Sequence, residues 1–190
     1  MKPKVIALTG GIGSGKSAVA KRLRDCNFDT VDCDDIVSEL AKDATVIGEV
    51  RLLLGPNSIH NGELNKEYIR TTVFKDVNLL NQYQAIFHTR IKKRLEQCIN
   101  NCKTKALFVE IPVLDAFVFD WDEVWKVVSE VETRVQRVVS RDNVSEHDVR
   151  DIISCQKEYT GIRTIVNNGS LTDLDNSIYQ ALLDSCLIET

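Results

Sequence analysis

Near its start the chain carries Gly10-Gly11-Ile12-Gly13-Ser14-Gly15-Lys16-Ser17, which fits the pattern G-x-x-x-x-G-K-[ST]. Few folds can host such a run. Glycines at this density let the backbone turn tightly and aim its N–H groups at phosphate oxygens. The pattern needs a buried strand before it and a helix after it, and both are legible. Val5-Ile6-Ala7-Leu8 is a short apolar run, and Val19, Ala20 and Leu23 recur at helical spacing. The helix begins at the loop, so the positive end of its dipole also faces the anion. Contacts to a nucleotide are expected from Gly11, Ile12, Gly13, Ser14, Gly15, Lys16, Ser17 and Ala18. Lys16 would reach the β and γ phosphates, and the Ser17 hydroxyl would ligate Mg²⁺.

Strand-like and helical patterns alternate along the rest of the 190 residues. Phe28 to Val31 reads as a second strand, Ala106 to Val109 as a third, Val124 to Val131 as a fourth and Thr164 to Val166 as a fifth. Helices are expected over Thr133 to Arg141, Ser145 to Gln156 and Leu171 to about Leu187, the last with Ser170 or Thr172 as its N-cap. This alternation predicts a P-loop NTPase-type α/β fold, a parallel five-stranded sheet flanked by helices. From Ile36 to about Asn101 the pattern is helical, broken at Gly55-Pro56-Asn57 and Asn61-Gly62. That stretch is too large for a simple crossover and reads as an inserted helical subdomain within one domain spanning 1–190.

A net charge of −4 gives no global basic field to draw in nucleic acid or a membrane surface. The six cysteines show no C-x-x-C spacing, which suits reduced thiols in a cytoplasmic protein better than a metal or redox site. The apolar run after Met1 is too short for a signal peptide, and no run has membrane-spanning length. The sequons at Asn143 and Asn168 then carry no glycosylation meaning. A regulatory GTPase should offer N-K-x-D, and the nearest string, Asn65-Lys66-Glu67-Tyr68, lacks the acid. Motor-type ATPases usually need more chain. A small-molecule kinase fits the length and the insert.

Such a kinase wants a carboxylate beside the acceptor hydroxyl, to orient it and accept its proton. Asp32 and Asp34, two apart in an expected extended segment, would project the same way near the loop. Asp34 is the candidate base and Asp32 a candidate acceptor contact, with Asp35 assigned to helix capping. The alternative is that these acids only cap a helix starting at Ile36, for which Asp34 or Asp35 is a candidate. Arg137 and Arg141, four apart on one helix face, suit the charge on a transferred phosphoryl, Arg141 as the catalytic one. Arg134 beside them allows the alternative of a solvated basic face. His88 is a candidate acceptor contact or an ordinary helix histidine. Phe117, Trp121 and Trp125 read as packing around the fourth strand.

With these residues in hand, the chain resembles the dephospho-coenzyme A kinase family over most of its length. Ile6 to Ser17 looks like the family's opening, and Val31-Asp32-Cys33-Asp34 matches its D-x-D segment. Gly55, Gly62-Glu63-Leu64, Ile69 and Val73-Phe74 match its G…G-x-L…L…V-F spacing. Ile111 to Leu114 stands where the family has P-L-L, and Asn168-Gly169 resembles its N-x-G. Gln136-Arg137, Arg141-Asp142 and Gln156 look like its lid. The chain departs from the pattern at His88-Thr89, Lys66 and Ala116, and its stretch from Gln156 to Ile165 is shorter than usual. Arg163 could replace a basic residue lost there.

The resemblance implies a core that binds ATP, an insert at about 36–101 that holds the acceptor, and a lid at about 141–163. It implies Asp34 as the base, Mg²⁺ as cofactor, and transfer from ATP to the ribose 3′-hydroxyl of dephospho-CoA. No protein partner is evident. Other readings are a P-loop kinase for a nucleoside, nucleotide or small alcohol, and a nucleotide-binding regulator without an acceptor.

Overall fold

Apolar strands such as Val5 to Leu8 must be covered on both faces, and the chain folds accordingly. A computed structural model describes residues 2–116, 118–157, 159 and 163–189. In chain order, β1 (Lys4–Thr9) leads through the glycine loop to α1 (Lys16–Asp25), then β2 (Asp29–Asp32), α2 (Cys33–Leu40) and α3 (Ala44–Leu54). Next come β3 (Ile59–His60), β4 (Glu63–Leu64), α4 (Lys66–Val73) and α5 (Val77–Asn101). The remainder is β5 (Ala106–Glu110), β6 (Glu123–Val128), α6 (Val131–Asp142), α7 (Glu146–Ser154), β7 (Arg163–Val166) and α8 (Leu171–Asp184). These elements form two compact units, residues 1–31 with 99–190, and residues 32–98.

The first unit is built on the expected parallel sheet, in the order β2-β5-β1-β6-β7. Its central strand sets Leu8 beside Glu110 on β5 and Trp125 on β6. Ile6, Leu8, Phe108, Trp125, Val127 and Ile165 pack against Val19, Ala20 and Leu23 of α1 and Leu174, Ile178 and Leu182 of α8. Phe108 meets Phe28 and Trp125 edge-on, with ring centroids 5.6 Å and 4.9 Å away, a favoured aromatic geometry. Trp125 is thus core packing, as expected, and Trp121 stacks obliquely on Phe119. Phe117 lies outside the described residues. A smaller cluster joins α6 to α7 through Val135, Val138 and Val149, and Ile12 of the glycine loop packs into it.

The fourth strand is shorter than expected. β6 stops at Val128, where its register with β7 ends opposite Val166. Ser129 then turns its hydroxyl to Ser14 O and Asn167 O, and Val131 opens α6 instead of continuing the strand. Helix ends follow capping chemistry. Ser145 caps α7 through the Asp148 N–H, and Ser170 with Asp173 forms a full capping box on α8. Asn143 closes α6 in the left-handed region at φ 53°.

Lys4, Trp125 and Ser185 all donate to the Glu123 carboxylate, at 3.0, 3.1 and 2.6 Å. Arg163 bonds Asp184 at 2.9 Å and approaches Glu123 at 3.6 Å. It stands at the first residue of β7, with its guanidinium on these acids and not on the glycine loop, so its expected role as a lid cation is corrected.

The second unit spans 32–98 where the sequence suggested about 36–101. Its buried apolar positions recur at helical spacing, Val46, Val50 and Leu54 on α3 and Phe87, Ile91 and Leu95 on α5. It is not helical throughout. Asn61 (φ 50°) and Gly62 (φ 83°) form a two-residue turn joining β3 and β4 antiparallel. Both φ values are positive, the conformation for which Asn-Gly is favoured in tight hairpins.

Candidate functional site

The glycine loop closes on itself before α1 begins, with Ser14 N–H donating to Gly11 O at 3.1 Å. Gly13 sits at φ 74°, and a Cβ there would come within 2.6 Å of the Arg134 carbonyl. Only glycine meets both conditions. Gly15 starts α1 in the left-handed region at φ 92°, with no side-chain cap and no acid in the first turn. The positive end of that helix is therefore left to an incoming anion. Lys16 arches back so that Nζ donates to Gly10 O at 2.8 Å, which carries its ammonium across the loop.

Below the loop a brace converges on Ser14. Its carbonyl accepts from Asn167 Nδ2 at 2.9 Å and Arg137 Nη1 at 3.4 Å, and Ser129 Oγ lies 3.1 Å away with its one proton closer to Asn167 O, at 2.6 Å. Arg137 also donates to Ser129 Oγ at 3.0 Å and Asn167 O at 3.1 Å. The guanidinium expected on the nucleotide is thus engaged with the loop's own backbone. Arg141 is not brought to the loop. Its side chain is 64% exposed and forms a two-point pair with Asp142, at 2.7 Å on each arm. The expectation that the two arginines share one patch is corrected by this difference in depth.

Sequence reasoning missed three participants. Arg134, weighed as part of a solvated face, instead donates from Nε to Ile12 O at 2.8 Å. Gln156, noted only as lid-like, accepts from Ile12 N–H at 3.3 Å. Lys126 on β6 donates to Tyr159 O at 3.5 Å and helps line a cavity of about 290 Å³ with Gly10, Gly11, Ser14, Arg134 and Gln156. The only available signal was the three-residue spacing of Arg134 and Arg137 on a helix. Within the expected lid, residues 158 and 160–162 lie outside the described residues.

The aspartates belong to the second unit's first helix. Asp32 is the N-cap of α2 and accepts from Asp34 N–H at 2.8 Å. The helix therefore begins at Cys33, not Ile36, and Asp34 lies inside its first turn, not in an extended segment with Asp32. Capping falls to Asp32, and Asp35 is a first-turn acid. Both Asp34 and Asp35 suit the positive helix end. Cys33, between Asp32 and Asp34, is buried, and burial, then the charges of those two aspartates, push its thiol up to about 12. His88 on α5 is half-buried; burial, then Lys92, lower its pKa and favour the neutral imidazole near pH 7.

Comparison with known proteins adds a family. A family model described as dephospho-CoA kinase matches residues 4–173. A Hydrogenovibrio crunogenus protein named dephospho-CoA kinase is 36% identical over 162 residues, covering 80% of this chain and 81% of the relative. A Streptococcus agalactiae protein of the same name is 30% identical over 190 residues, 94% of this chain and 97% of its own. A crystal structure of a Thermus thermophilus protein superposes with a TM-score of 0.85 at 26% identity, covering 97% of this chain and 98% of that one.

Proposed function

The chain belongs to the dephospho-CoA kinase family, and on that premise we propose that it phosphorylates the ribose 3′-hydroxyl of dephospho-CoA with ATP. The products are coenzyme A and ADP, which makes this the last step of coenzyme A synthesis. The observation that carries the reading is the glycine loop closed over an uncapped helix start, with Lys16 lying across it. That arrangement suits a polyphosphate.

In this reading Gly11 and residues 13–18 hold the phosphates, with Lys16 on the β and γ groups; the Ile12 peptide, expected among these contacts, is instead engaged by Arg134 and Gln156. The 3′-oxygen attacks the γ-phosphorus, the new P–O bond forms as the bond to the β-phosphate oxygen breaks, and ADP leaves. Asp34 accepts the hydroxyl proton, while Asp32 and His88 contact the acceptor within the 32–98 unit. Arg137 acts on the nucleotide through the loop it braces. Arg141 would have to leave Asp142 to reach the phosphoryl group.

Ser17 would hold Mg²⁺ together with the nucleotide. The described residues contain no group of three or more His, Cys, Asp or Glu able to hold a metal, and Ser17 offers one hard hydroxyl oxygen at the start of α1. That donor set fits a cation ligated mostly by phosphates and water. When bound, it would neutralise charge on the β and γ oxygens. No helix among the described residues is long and apolar enough to cross a membrane. The proposed setting is the cytoplasm, with no nucleic acid or membrane partner.

Incubation with Mg-ATP and dephospho-CoA should yield coenzyme A by mass detection. Asp34→Asn should keep ATP affinity nearly intact and lower turnover at least ~10²-fold, a usual general-base contribution. Near-normal turnover in that variant would remove Asp34 from the chemistry.

A further inference from the structure

We propose that Arg134 and Gln156 are positioning residues that clamp the Ile12 peptide and hold the limb of the glycine loop facing the nucleotide's terminal phosphoryl group. Each polar atom of residue 12 is taken by one of them. Arg134 Nε donates to its carbonyl at 2.8 Å, and Gln156 Oε1 accepts its N–H at 3.3 Å. The same Gln156 oxygen accepts from Arg134 Nη2, so the two side chains and the peptide close a ring. The Ile12 side chain is held as well, packed on Val135, Val138 and Val149 between α6 and α7.

Glycine at position 11 belongs to this arrangement. A Cβ there would collide with the Arg134 guanidinium and the Gln156 amide. The start of α1 is the end that takes the α and β phosphates. In the proposed binding mode the opposite limb, residues 11–13, faces the terminal phosphoryl, and this is the limb the clamp holds. Gln156 follows the last turn of α7 by two residues, so the clamp also ties the loop to the α6–α7 hairpin. Its role in turnover rests on the kinase reading; its role in nucleotide binding does not.

The test measures binding of a non-hydrolysable ATP analogue and of ADP to Arg134→Ala, Gln156→Ala, Gln156→Met and the double alanine variant, each with a thermal melt. Losing one or two hydrogen bonds at this site should weaken the ATP analogue about tenfold and ADP less than about twofold. The double variant should be no worse than the weaker single one, because both act through the same peptide. In turnover, the KM for ATP should rise with the KM for the acceptor unchanged. Arg150→Ala, which cuts the exposed pair between α7 and Glu132 of α6, should change neither. Gln156→Met keeps side-chain bulk and answers the question if Arg134→Ala folds poorly. Equal loss for ATP and ADP, additive losses, the same loss in Arg150→Ala, or unchanged affinities would each overturn the clamp. A wild-type protein that binds nucleotide but leaves dephospho-CoA unphosphorylated would refute the reaction and leave the clamp to the binding data.

Discussion

At the scale of single residues, Cys33 shows how strongly position governs reactivity. It is 4% exposed, and burial together with two flanking aspartates pushes its thiol to about 12. Iodoacetamide at about pH 8 reacts with thiolates, so it should label the exposed Cys26, Cys155 and Cys186 and spare Cys33. Peptide mass mapping checks this, and equal labelling of Cys33 and Cys26 would contradict it. The residues Gly10 to Ser17 were legible because their chemistry is local, a matter of turns and a helix start. The arginines were not. Arg134, Arg137 and Arg141 look alike on a helix, and their fates differ with depth. Arg134 and Arg137 lie where the loop packs on α6, while Arg141 sits in the last turn, just before Asn143 ends the helix.

At the scale of elements, caps explain both what could be read and what was misread. Ser170 was a visible candidate and does cap α8, with Asp173 returning the bond to its backbone N–H. Ser170→Ala should destabilise the fold by about 1 kcal/mol, and Ser170→Gly by only a few tenths, measured by urea unfolding. An unchanged midpoint in the alanine variant would show the cap to be redundant. For α2 the wrong aspartate was favoured. Because Asp32 takes the N-cap, the helix begins three residues earlier than expected and carries Asp34 with it. The β3–β4 hairpin had its Asn-Gly signal in plain sight, but two residues on each side give too little alternation to read as strands.

At the scale of the whole molecule, the parallel sheet followed from the alternation of patterns, whereas its strand order and the side-chain links between distant segments did not. Glu123 is the clearest case, joining Lys4, Trp125 and Ser185 across the length of the chain. Burial alone would raise its carboxyl pKa, but the bonds from Ser185, Trp125 and Lys4 hold it below the ordinary 4.5. A depressed carboxylate pKa lends stability that is complete above the unfolded value and disappears as pH falls through the folded one. The melting temperature should therefore drop as pH falls from about 4.5, and Glu123→Gln should flatten that slope. An identical slope in the variant would show that other carboxylates carry it. The brace beneath Ser14 has a different kind of consequence. Asn167 and Arg137, from distant parts of the chain, already donate to one carbonyl with the Ser129 hydroxyl beside it, so the mould is cast before anything is poured into it. Little entropy is left to lose when a nucleotide arrives, and capture should be governed by diffusion into the opening instead of by slow reshaping of its walls.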